Sequence, residues 1–247
     1  MSTALKLRPT RVAIAVLAAV GTLLLGLVLA IPASALDATI DVQRNLASIG
    51  YLPAAAVDGR DGPQTRAAVR AFEHDNGLTE DGLYDPRTEL ALRNKVMEVQ
   101  RVAATPADGQ YGPTTTAVVR GFQSQHGLFP DGVAGAATMA AMGIDRTVWN
   151  TADRKMAQQG WSVPAQHGCI VTLWNHESDW KVYATNPSSG AYGIPQSWPA
   201  GKLGATGPDW RTNPATQIQW GLDYIKRRYG TPCAAWAFWQ AHNPHWY

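Results

Sequence analysis

The sequence predicts a mainly α-helical protein: two small three-helix bundles followed by a third, tryptophan-rich helical unit. Three observations carry this. The stretch VDGRDGPQTRAAVRAFEHDNGLTEDGLYDPRT at 57–88 returns as ADGQYGPTTTAVVRGFQSQHGLFPDGVAGAAT at 107–138, offset by 50 residues throughout. Each copy brackets a helix between a proline suited to its first position, Pro63 or Pro113, and a glycine suited to its left-handed stop, Gly77 or Gly127. All ten Trp fall between Trp149 and Trp246, which marks a boundary near 145–150.

The chain of 247 residues, 45% hydrophobic and 16% charged, has material for more than one globular unit. Residues 1–35 read as an export signal: Lys6, Arg8 and Arg11 precede an uncharged apolar run at 12–31, and Ala33-Ser34-Ala35 supplies a small-x-small cleavage site. Cleavage after Ala35 would release a secreted protein with no membrane contact. The apolar run is also long enough to span a bilayer, so an uncleaved amino-terminal anchor is the alternative. Removal of the leader leaves 18 Lys plus Arg against 19 Asp plus Glu, a near-neutral chain without the basic footprint of a nucleic-acid binder. Residues 150–247 hold 8 basic and 5 acidic groups, a mild preference for an anionic polymer.

The first repeat occupies 36–94 and the second 95–146. Within each, Thr65, Val69 and Phe72, or Thr115, Val119 and Phe122, fall at helical spacing on one side and are core positions. A preceding helix near 42–47 or 97–103, and a following one from Pro86 or Ala134, give three helices per copy. The recurring DG-x-x-G-x-x-T, A-V-x-x-F, G-L and D-G elements resemble the peptidoglycan-binding domain carried by cell-wall hydrolases. Two departures stand out: Asp61 lies where the family prefers the aromatic that Tyr111 supplies, and Gly50-Tyr51 has no counterpart in the second copy.

The third unit, 147–247, holds both cysteines. In an exported chain, Cys169 and Cys233 form an even pair without CxxC spacing, which predicts a disulfide. The six His are scattered, so no metal site and no cofactor is expected. Ten Trp exceed what a core of this size needs, and some are expected to line a cleft, where indole faces suit sugar rings. In LWNHESDW at 173–180, a helix over 169–180 would put Ile170, Leu173, Trp174 and Glu177 on one face. A carboxyl group on an apolar stripe is desolvated and its pKa rises, as a general acid near neutral pH requires.

Glu177-Ser178, then Gly190-Ala191-Tyr192-Gly193-Ile194-Pro195-Gln196, then a helix through Gln217, Gly221 and Tyr224, resemble in order the catalytic domain of lytic transglycosylases, akin to goose-type lysozyme. The resemblance implies a lysozyme-like helical domain with Glu177 as catalytic acid and base and Gln196 against the glycan. Tyr224 would hold the Glu177 carboxyl, and Tyr192 and Ile194 would shape the floor. Trp180 and Trp239 complete the candidate glycan contacts. Pro195 stands for the family's Met and Gln217 for its Asn.

Ordinary glycosidases need two carboxylates. Asp179, two residues on, points to another face if the helix continues, and Asp153, Asp209 and Asp223 carry no signature around them, so a single-carboxylate route to a 1,6-anhydro product fits the resemblance better. A hydrolytic lysozyme and a non-catalytic wall-binding protein are the alternatives. The expected partner is the glycan strand of peptidoglycan, and the expected location is the cell wall. Oligomeric state is not encoded in any of these features.

Overall fold

The computed structural model describes residues 33–244, so the leader read at 1–35 lies outside the described residues except for its last three positions. Nine helices follow one another within that span: α1 (Ala33–Ser48), α2 (Pro63–Asp75), α3 (Pro86–Val102), α4 (Pro113–Gln125), α5 (Ala136–Ala141), α6 (Val148–Gln158), α7 (Val163–Ser178), α8 (Pro214–Tyr229) and α9 (Pro232–Ala241). Among the described residues there is no strand, only isolated bridges joining Tyr192 to Thr185 and Ser197. None of these helices is long and apolar enough to cross a membrane.

The division expected at 94/95 falls inside α3, which closes the first three-helix unit and opens the second. Leu92, Val96 and Val99 fall at helical spacing and are all buried, so one apolar face serves both units and their cores merge into a single cluster ending at Ile144. A second cluster begins at Val148 and holds Ile170, Leu173, Trp174, Ile194, Ile218 and Leu222. Tyr183 packs against both clusters.

The repeat has a finer period than 50 residues. D-G-x-x-(G/D)-x-x-T occurs four times, from Asp58, Asp81, Asp108 and Asp131. Each time, a buried side chain from the preceding helix ties the loop to the next helix. Gln123 Nε2 donates to Asp131 Oδ1, Val133 O and Thr138 Oγ1, while its Oε1 accepts from Gly132 N. Gln100 and Gln43 make the same set of bonds around Asp108 and Asp58. These knots satisfy buried polar groups that would otherwise cost about 1–3 kcal/mol each.

In the remaining knot the amide is replaced by Glu73, whose carboxylate accepts from Gly82 N and Thr88 Oγ1. Burial holds this carboxyl above its ordinary pKa; the two donors pull it down, and Asp81 and Asp85 push it up again. A raised native pKa means stability that is full in acid and lost as pH rises past the ordinary carboxylate range. Glu73→Gln is therefore expected to raise Tm at pH 7, with the gain shrinking toward pH 4. An equal or lower Tm at pH 7 would contradict this account of the knot.

Candidate active site

Glu177 sits one residue before the end of α7. Pro164 at the start of the helix and the buried series Ile170, Leu173 and Trp174 set its register, and Glu177 continues that stripe as a half-buried group. The helix stops two residues before the expected Trp180, because Asp179 and Trp180 are both left-handed, with φ of 52° and 58°. The carboxyl is thereby left at a helix end beside α9. Trp239 Nε1 donates to Glu177 Oε1 at 2.9 Å. Trp239 in turn packs against Trp236, with centroids 5.0 Å apart, and against His176 at 4.7 Å. Burial pushes the Glu177 carboxyl up to about 7, against the Trp239 bond, which pulls it down.

No other carboxylate acts on Glu177 among the described residues. Asp153 pairs with His167, Asp209 bonds Asn213 and Thr216, Asp223 accepts from Gln159 and Gln219, and the exposed Asp179 lies 3.7 Å from Lys181. The group is a lone, desolvated acid. The described residues contain no cluster able to hold a metal ion.

The 191–197 loop is pinned beside it. Ser178 Oγ, next to Glu177, donates to Ile194 O at 2.8 Å. The fully buried Gln217 of α8 accepts from Ile194 N at 2.9 Å and donates to Val182 O at 3.1 Å and Trp210 O at 2.8 Å. Gly221 is required by close approach: a Cβ there would lie 2.6 Å from Trp174 and 2.9 Å from Pro195 Cβ. Pro195 thus packs close against α8 at Gly221, beside Trp174 of α7. Gln196, at φ 46°, commits its Nε2 to Gly193 O and Ala184 O.

The other candidates are distributed differently from the expectation. Tyr192 is half-buried, with its hydroxyl donating to Arg211 O and its ring edge-on to Trp210. Ile194 is fully buried and serves the loop through its backbone. Tyr224 stacks on Trp220 at 5.4 Å and stands edge-on to Tyr229 at 6.1 Å; the Glu177 carboxyl accepts from Trp239. Trp180 is a core residue at 2% exposure, wedged between Trp149 and Trp174, and offers no free face to a sugar. Among the described residues, the indole that faces outward is Trp198, 65% exposed and two residues beyond Gln196. Its neighbours in sequence are polar and proline, and nothing in the local pattern marks it.

Cys169 and Cys233 form the disulfide, joining α7 to α9 across 64 residues with Cα atoms 4.9 Å apart. Cys233, Trp236 and Trp239 fall three apart on α9, so the bridge and the two indoles share the face turned to α7.

No curated protein and no solved structure matches the chain. The family model described as "Putative peptidoglycan binding domain" matches at residues 36–92 and 94–142. The two segments that match resemble a tandem of peptidoglycan-binding domains, which supports peptidoglycan as a partner and association with the cell wall.

Proposed function

We propose that this chain is an exported enzyme that cleaves the β-1,4 bond between N-acetylmuramic acid and N-acetylglucosamine in peptidoglycan, with Glu177 as its single catalytic carboxyl group. One observation carries the reading: a lone carboxyl, pushed by burial to about 7, held by an indole beside a braced loop. Near neutral pH such a group is populated in both protonation states, as a residue acting first as acid and then as base requires. Glu177 gives its proton to the glycosidic oxygen as the bond from muramoyl C1 breaks. Its carboxylate then takes the proton of the C6 hydroxyl, whose oxygen bonds to C1, so the products are a free N-acetylglucosamine hydroxyl and a 1,6-anhydro end with no water consumed. The attacking hydroxyl belongs to the same sugar, and this proximity substitutes for an enzyme nucleophile. The absence of a second carboxylate near Glu177 favours this route over hydrolysis among the described residues.

The test is mass analysis of fragments released from purified peptidoglycan. Anhydromuramoyl ends, lighter by one water than reducing ends, are the expected result. Reducing muramic acid ends would replace this mechanism with a hydrolytic one, and tight binding without any release would leave a wall-binding protein.

A further inference from the structure

The two repeats share their sequence pattern but not their surroundings. Gly77 and Gly127 occupy the same position, with φ of 66° and 67°. Around Gly127 there is open space, whereas a Cβ on Gly77 would meet Trp180 O at 2.4 Å. The first repeat is docked there on the segment that follows Glu177. Val182 N donates to Gly77 O at 2.9 Å, and Lys181 Nζ to Glu80 Oε1 at 2.8 Å. His74, itself 3.2 Å from Glu80, sets its ring 4.9 Å from that of Trp149, and the Arg87 guanidinium lies 4.4 Å over the ring of Tyr183. In the second copy the positions of His74, Glu80 and Arg87 are taken by Ser124, Pro130 and Ala137, which can make none of these contacts.

The docked segment connects to the site on both sides. Val182 is held by its N–H to the first repeat and by its carbonyl to Gln217, and Gln217 also holds Ile194, to which Ser178 donates. Between Ser178 and Val182 lie the left-handed Asp179 and Trp180. Such residues cost about 1–2 kcal/mol apiece and persist only where the surroundings over-determine them. Trp180 is over-determined by Trp149, Trp174 and the carbonyl contact at Gly77.

We propose that the first repeat is a brace built into the catalytic lobe, with Gly77 and Glu80 as positioning residues that hold the segment after Glu177 in its left-handed turn. This rests on Glu177 being the catalytic acid. The decisive comparison is Gly77→Ala with Gly127→Ala, since both variants carry the same left-handed strain and only the first collides with Trp180 O. On soluble uncrosslinked glycan strands, Gly77→Ala is expected to lose about 10-fold or more in kcat with little change in KM, and its alkaline limb to move to lower pH as the carboxyl is exposed. Gly127→Ala keeps the wild-type values. Should Gly77→Ala fail to fold, Glu80→Lys is expected to lose activity and the exchange Glu80→Lys with Lys181→Glu to regain it.

Amide hydrogen exchange at Lys181 and Val182 reads the brace without reference to activity: protection falls in Gly77→Ala and holds in Gly127→Ala. Equal kcat, pH profile and exchange in the two glycine variants, with no loss in Glu80→Lys, would overturn the proposal. A wild-type chain that releases no fragments would instead remove the catalytic reading, and the exchange comparison would then decide the brace by itself.

Discussion

Glu177→Gln is expected to abolish fragment release from purified walls, by about 10³-fold or more, while binding to those walls persists and the variant becomes the more stable protein above neutral pH. The two outcomes have one origin. The amide is isosteric, and its oxygen still accepts from Trp239 Nε1, so the pocket keeps its shape. It cannot give a proton to a leaving group. Burial raises the native carboxyl from 4.5 to about 7, so native Glu177 binds its proton more tightly than the unfolded chain does. The sign follows: wild-type stability is full below about 4.5 and declines as pH rises through 7. At about 1.4 kcal/mol per pH unit, the loss reaches about 3 kcal/mol by pH 8. The glutamine variant does not suffer it. Denaturation of both proteins at pH 4 and pH 8 should give curves that coincide at the first pH and separate at the second, and a variant that still lyses walls would sink the catalytic assignment. Binding is expected to persist because the segments that match a peptidoglycan-binding domain, 36–92 and 94–142, do not include the carboxyl.

The helical stripe that delivers Glu177 was legible in the spacing of Ile170, Leu173 and Trp174, because burial of one helix face imposes its period on the sequence. The end of that helix was not. A stop normally carries Gly or Asn, whereas Asp179 and Trp180 adopt the left-handed region under tertiary pressure that leaves no local trace. The role expected of Tyr224 passed to Trp239, 62 residues from Glu177, and the packing of α9 on α7 decides such a pairing. The four DG knots were written in the sequence, yet the Gln-to-Thr spacing is 15 residues in two of them and 22 in the first, and Glu73 replaces Gln in another. The docking of Gly77 was invisible for a different reason: both copies have the glycine, and only the partner surface distinguishes them.

Removing the bridge with Cys169→Ser and Cys233→Ser is expected to lower Tm by about 10 °C and to narrow the pH range of activity from its alkaline side. Closing a loop of 64 residues restricts the unfolded chain by about 4 kcal/mol in the chain-entropy model, and a unit of this size converts that into a shift of about that many degrees. The consequence for the site follows from register. Cys169 meets Cys233, His176 stacks on Trp236 at 5.4 Å, and Glu177 meets Trp239 at 2.9 Å, so the bridge anchors the first of three matched contacts between α7 and α9. Without that anchor α9 opens more often, water reaches the carboxyl, and its pKa falls back toward the ordinary carboxylate range, because desolvation is the larger of the two influences on it. Fewer molecules then hold the proton at pH 7, and kcat/KM declines there while the rate at pH 5 is kept. The same displacement should appear in the wild-type protein under reductant. Unchanged melting and an unchanged profile, with both thiols shown to be free, would mean that α9 is held by its indoles alone.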